Sequence, residues 1–255
     1  GIRDASCLVG SEMCIRDRVG SVGLGRLGYE HAKNLATQVP GCELAAICDV
    51  DANRVKEVAA ELGVPNTYTD FEEMCKNPEL DAIVIVSPSF LHCQQIEIAM
   101  NYGKHVFCEK PLGTDVAQCK AAEKVIEAHP DLIFQLGFMR RFDPDYIKMK
   151  KILDSGELGA PLMAHCISRT RSHPKNHTTE QHITNIAIHE IDICRWLLGE
   201  NLNEVAVRFP RATCFAEGTC QDPQLVLMQS DSGVLIDVAV SYTHLRAHET
   251  RGNLV

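Results

Sequence analysis

The sequence first offers chemistry in GLGRLG, with glycines at 23, 25 and 28. Between a strand and a helix, the first of these permits a tight turn. The second lets a backbone approach a pyrophosphate, and the third allows close helix packing. A helix opening at Arg26 and Leu27 presents free N–H groups and the positive end of its dipole to such phosphates. Asp49 ends the following strand-like run, where a carboxylate would bond a ribose 2′-hydroxyl. Its charge repels a 2′-phosphate and no arginine immediately follows it, so NAD is the expected cofactor in preference to NADP. An S-adenosylmethionine enzyme uses a similar loop and is the rival at this step.

Two further places could move a proton. Lys110 precedes Pro111 at the C-terminal end of a strand-like run, the edge at which open α/β sheets gather ligands. Asn185, His189 and Asp192 lie at i, i+4 and i+7, which puts them on one face of a helix. Ile183, Ile186 and Cys194 are then left for the buried side. A neutral imidazole can take a proton near neutral pH, and an ammonium can stabilise a developing anion. His189 and Asp192 are also spaced as metal ligands, but no further ligand cluster accompanies them and no metal is expected. His173, His177 and His182 read as solvent-exposed or substrate-edge groups of a polar loop.

The elements that must hold these residues alternate. Strand-like runs at 19–22, 43–48, 81–86, 105–108 and 133–136 are separated by helical stretches at 26–37, 52–62, 91–102 and 115–128, with a shorter one near 71–76. Asp51 and Asp70 stand where an N-cap carboxylate would accept free backbone N–H groups. The run DAIVIV (81–86) is apolar almost throughout, as expected of a parallel strand buried on both faces. Such alternation predicts a doubly wound parallel sheet with right-handed crossovers. After Gly137 the rhythm changes to helices at 144–154 and about 181–198, the latter ended by Gly199, and strands near 159–168, 204–208, 224–229 and 233–240. The expected fold is therefore α/β, with a Rossmann domain over 19–137 and an α+β open-sheet domain over 138–240.

Composition narrows the partners. With 45% hydrophobic and 23% charged residues the chain reads as a globular protein with a real core. A formal charge of -9 argues against a general nucleic-acid binder. No apolar run reaches transmembrane length, so no membrane partner is expected. The twelve cysteines contain no C-x-x-C pair, and Cys48, Cys93, Cys108 and Cys194 lie within apolar segments. Buried reduced thiols of a cytoplasmic protein are the expectation.

VFCEKPL (106–112) and GFMRRFD (137–143), together with GLGRLG and HEID (189–192), resemble the Gfo/Idh/MocA oxidoreductases and within them the inositol dehydrogenase branch. The resemblance covers residues 19 to 240. It implies an NAD-dependent dehydrogenase that oxidises a secondary hydroxyl of a cyclic polyol or sugar, working as a homo-oligomer, a tetramer. It assigns Lys110 to the reacting oxygen and His189 to proton transfer, with Glu109, Ser87, Pro88 and His92 near the cofactor. Met139, Arg140 and Thr170 fall among the substrate contacts, with one of Arg140 and Arg141 facing the site and the other serving structure. The family commonly has Asp four residues before the catalytic His, and this chain has Asn185, an amide that can orient an imidazole but not stabilise its cation by charge. A catalytically silent NAD-binding sensor on the same fold is the alternative that Asn185 supports.

The two ends read differently. A nucleotide string that encodes Leu8 to Asp17 (LVGSEMCIRD) has a reverse complement that encodes Val240 to Glu249 (VSYTHLRAHE). The string resembles a transposase adapter of sequencing libraries. Residues 1–18 and 241–255 are thus expected to be translated adapter and flanking sequence, without chemistry. The substrate domain is expected to stop in mid-sheet, leaving a fragment that binds NAD poorly and is inactive.

Overall fold

The computed structural model describes residues 17–170, 178–212 and 220–242. Backbone contacts divide the chain between Gly137 and Phe138 into two units.

In the first unit, strands β1 (Asp17–Val22), β2 (Cys42–Cys48), β3 (Asn66–Tyr68), β4 (Ala82–Ile85), β5 (His105–Cys108) and β6 (Phe134–Leu136) form one sheet. Its order is β3-β2-β1-β4-β5-β6 and every pairing is parallel. The order reverses between β1 and β4, and a crevice for ligands opens beyond the strand ends at such a switch point. Helices α1 (Arg26–Thr37), α2 (Ala52–Leu62), α3 (Phe71–Cys75), α4 (His92–Asn101) and α5 (Val116–Ala128) make the crossovers. Asp51 caps α2 by accepting from the amides of Asn53 and Arg54, and Asp70 caps α3 through Glu73. Ile83 and Ile85 in the central strand are fully buried against Met74, Ile96 and Met100, which explains a run with no polar alternation. Burial pushes the thiols of Cys48 and Cys75 up to about 12, so they persist as inert thiols.

In the second unit, helices α6 (Pro144–Ser155) and α7 (Ile188–Leu198) accompany a sheet of β7 (Met163–Thr170), β8 (Leu202–Arg208), β9 (Gln224–Ser230) and β10 (Leu235–Tyr242). The order is β7-β10-β9-β8, parallel between β7 and β10 and antiparallel elsewhere. Val226, Met228, Ile236, Val238 and Val240 alternate along β9 and β10 and pack with Ile186, Ile193 and Cys194. The helix expected over about 181–198 runs through those residues without a break, but His182–Ala187 are wound as a π turn before α7 begins at Ile188. Gly199 ends α7 in the left-handed region at φ 69°, as a C-cap glycine does.

Candidate active site

The glycine loop leaves β1 at Gly23 and enters α1 at Arg26. Gly23 has φ +86°, and a methyl there would lie 2.7 Å from the backbone of Val86 and Ser87. A methyl on Gly28 would lie 1.8 Å from the carbonyl oxygen of Gly23, so this position is closed by helix packing. At Gly25 a methyl meets nothing within 4 Å, and the first turn of α1 has no side-chain cap. Open space before uncapped N–H groups suits an anionic group brought from outside the protein. Arg26 and Leu27 are exposed beside it.

Asp49 is drawn into this loop. One carboxylate oxygen accepts from the Leu24 amide at 2.6 Å and the other from the Asp51 amide at 3.0 Å. The carboxylate therefore braces the glycine loop, and a ribose hydroxyl would share oxygens that already hold backbone. Arg54 Nε donates to the Leu24 carbonyl at 3.0 Å and ties α2 to the same loop.

Two more loops leave the same edge of the sheet. After β4, Ser87 donates its hydroxyl to Gln95. His92 at the start of α4 is 1% exposed. Its ring nitrogens lie 2.8 Å from the Ser87 carbonyl and 2.7 Å from the Pro111 carbonyl. His92 thus stands at the loop expected near the cofactor with both ring nitrogens turned to backbone carbonyls, and the ring joins two loops. Pro88, by contrast, is exposed.

After β5 come Glu109, Lys110 and Pro111. Burial opposes the Glu109 carboxylate, but the hydrogen bond and charge of His31 outweigh it, with help from the Lys110 amide and ammonium. Its pKa accordingly lies below the usual carboxylate value. His31 Nε2 lies 2.9 Å from Glu109 Oε1. The Lys110 ammonium is lowered by burial, which the neighbouring Glu109 charge only partly reverses. A lysine whose cation is disfavoured gives up or returns a proton more readily near neutral pH.

In the second unit the geometry revises several expectations. His189 is half-buried on the first turn of α7 and Asn185 is exposed on the π turn. Asp192 lies one turn further along α7. It is 7% exposed and takes Arg141 in a two-point pair, with Nε 2.9 Å from Oδ2. The π turn carries more residues per turn than an α-helix, so α-helical spacing does not describe Asn185, whereas His189 and Asp192 keep that spacing within α7. Arg140 is held by two neighbours in its own unit. Its guanidinium pairs with buried Glu190 at 2.8 Å and lies 5.9 Å from the Tyr146 ring centre. Met139 is exposed, and the Thr170 hydroxyl is buried without a partner among the described residues. His182 is fully buried rather than exposed, with Nε2 3.3 Å from Asp222 Oδ1. His173 and His177 lie outside the described residues. Among the described residues no group of three His, Cys, Asp or Glu side chains could hold a metal ion.

His31 was not evident from the sequence. Its only signal is its place in GYEH, three residues beyond Gly28 on a helix that the loop already defines.

Residues 18–138 match the Gfo/Idh/MocA oxidoreductase family in its NAD-binding Rossmann domain, and residues 146–254 match that family's C-terminal domain. The chain belongs to this family. It is 37% identical over 223 residues to inositol 2-dehydrogenase 3 of Saccharopolyspora erythraea, and 36% identical over 224 residues to inositol 2-dehydrogenase of Burkholderia lata. These matches take in 88% of this chain and 66% of each relative, so the chain spans somewhat less than two thirds of their length. Among solved structures it is similar to scyllo-inositol dehydrogenase from Lactobacillus casei with bound NAD(H) and scyllo-inositol. That match has a TM-score of 0.81 at 32% identity, covering 89% of this chain and 70% of the other. Myo-inositol dehydrogenase from the same organism, in complex with NAD(H) and myo-inositol, matches with a TM-score of 0.85 at 29% identity, covering 89% and 68%. No helix of the described residues is long and apolar enough to cross a membrane.

Proposed function

We propose that the protein is an NAD-dependent dehydrogenase that oxidises a secondary hydroxyl of a cyclic polyol of the inositol type to the ketone. The observation that carries this reading is Lys110, half-buried with a lowered pKa at the ligand edge of a Rossmann sheet. The surrounding sequence is that of a relative of inositol 2-dehydrogenases.

Gly25 and the N–H groups at Arg26 and Leu27 would receive the cofactor's pyrophosphate, and Asp49 its ribose, beside the Ser87–Pro88 loop. NAD, when bound, supplies the hydride acceptor. Lys110 stabilises the alkoxide that develops as the hydroxyl loses its proton, and His189 takes that proton, oriented by Asn185. Met139, Arg140 and Thr170 belong to the substrate side, Arg140 acting from its pair with Glu190. An amide at 185 leaves the imidazolium without a charged partner at that position, so proton transfer is slower than with a carboxylate there. Asn185 is also what favours the second reading, a silent NAD-binding sensor, whereas Lys110 and His189 would serve no purpose in one.

We place the protein in the cytoplasm, where its buried thiols stay reduced, as a homo-oligomer, a tetramer. The test is NADH formation from a panel of inositols and aldoses by protein with bound NAD. A rise in absorbance that Lys110→Ala abolishes, with NAD binding largely kept, is expected. Bound NAD with no hydride transfer from any member of the panel would favour the sensor.

A further inference from the structure

The turn after β5 is gripped from two sides. From α4, His92 meets the Pro111 carbonyl at 2.7 Å. From α1, His31 meets Glu109 Oε1 at 2.9 Å, while Glu109 Oε2 accepts the Lys110 amide at 3.2 Å. The His31 ring also leans on Phe107 of β5, with ring centres 5.7 Å apart. Lys110 thus sits between two histidines whose helices follow the other two loops at this edge of the sheet.

The His31–Glu109 pair is an odd choice for stability alone. The two side chains are 27% and 15% exposed, so each gives up water without entering the apolar core. What the pair does accomplish is a connection. The helix that opens on the glycine loop is joined to the turn that carries Lys110. We propose that His31 is a positioning residue that acts through Glu109 to hold the Lys110 backbone in register with the glycine loop. This rests on Lys110 being the residue at the reacting oxygen, as proposed above.

The experiment uses the full chain with His31→Leu, His31→Gln, Glu109→Gln and the double variant His31→Leu/Glu109→Gln. Its first readout needs no cofactor, namely hydrogen exchange of the Lys110 amide, which Glu109 protects. Freeing Glu109 in His31→Leu is expected to speed that exchange about tenfold, the worth of one charge-assisted hydrogen bond. His31→Gln keeps an N–H donor of similar reach and should restore protection. In the Glu109→Gln background the His31 substitution should add less than about twofold, as coupled residues do. The second readout is NAD affinity by calorimetry, expected to fall about fivefold or more in His31→Leu and to recover in His31→Gln, with melting temperatures unchanged.

Unchanged Lys110 exchange in His31→Leu overturns the proposal, whether or not the chain binds NAD. So does an equal loss in both Glu109 backgrounds, or a loss that tracks a fall in melting temperature and is not recovered by Gln. Failure of the dehydrogenase reading looks different. Wild-type protein would then oxidise no polyol while the exchange cycle retained its coupling.

Discussion

Gly25 and Gly28 belong to one motif, yet they respond differently to a methyl group. At Gly28 the added carbon would lie 1.8 Å from the Gly23 carbonyl oxygen, which no side-chain movement relieves. Gly28→Ala should therefore cost roughly 1–3 kcal/mol or more in denaturant unfolding. At Gly25 the carbon meets no protein atom, and φ is an ordinary -63°. Gly25→Ala should unfold within about 0.5 kcal/mol of wild type, yet lose NAD affinity by calorimetry, because it fills the space proposed above for the cofactor's pyrophosphate. Equal affinity in Gly25→Ala would remove the phosphate from this loop. Lys110 makes the complementary case for a residue that costs stability. Its pKa when folded is lowered from the 10.5 of a free lysine side chain, chiefly by burial. Between the folded value and 10.5 the unfolded chain binds the proton more readily, so stability rises as the pH is raised through that window. Below it the cost of burying the ammonium is paid in full. Lys110→Met should then be more stable than wild type near neutral pH, with the difference shrinking towards pH 10.5, while hydride transfer is lost. A Met variant less stable than wild type at neutral pH would show that the ammonium is a net structural support.

At the level of elements, the segment before α6 is anchored to α7 by two arginines, Arg140 on Glu190 and Arg141 on Asp192. Removing Arg141 leaves an almost fully buried carboxylate without its two-point partner. The Arg141 side chain is 41% exposed, so Arg141→Ala should cost roughly 2–3 kcal/mol, less than a wholly buried pair. Arg141→Ala/Asp192→Asn should recover part of that cost in urea unfolding. A single-variant cost below the error of the measurement would mean that solvent already screens the pair. These anchors also mark the limit of what the sequence discloses. The parallel sheet was legible because apolar runs such as 81–86 have no other explanation, and the glycine loop because its spacing is dictated by a turn and a helix start. The π turn at 182–187 was not. Hydrophobic periodicity cannot separate a widened turn from an α-helix over so short a stretch, and the face assigned to Asn185 depends on it. The partners of Asp192, Asp49 and His92 were equally hidden, because long-range contacts with backbone or with a distant arginine leave no local pattern.

The four-stranded sheet raises a question that concerns the whole molecule, since one of its faces has no cover among the described residues. Alternation along β9 and β10 buries Val226, Met228, Ile236 and Val238 beneath α7 and turns their neighbours outward. On the outward side Met163 is 67% exposed, Ile167 54%, Leu235 50% and Leu227 38%. The register places Leu235 directly beside Met163, and Ala239 beside Ile167, so these side chains form a patch rather than scattered single residues. His165 and Asp237 are paired within the same face, which gives it a polar centre able to align a partner. If the protein is the homo-oligomer proposed above, this face is the one to test as the meeting surface. Leu235→Lys should lower the mass seen in sedimentation velocity while changing unfolding by less than about 0.5 kcal/mol, because a half-exposed side chain carries little of the core. Val238→Lys, only three residues on but on the covered face, should instead unfold the second unit, since it would bury an ammonium without a partner. If Leu235→Lys keeps the wild-type mass, the subunits meet through another surface and this face awaits a different cover.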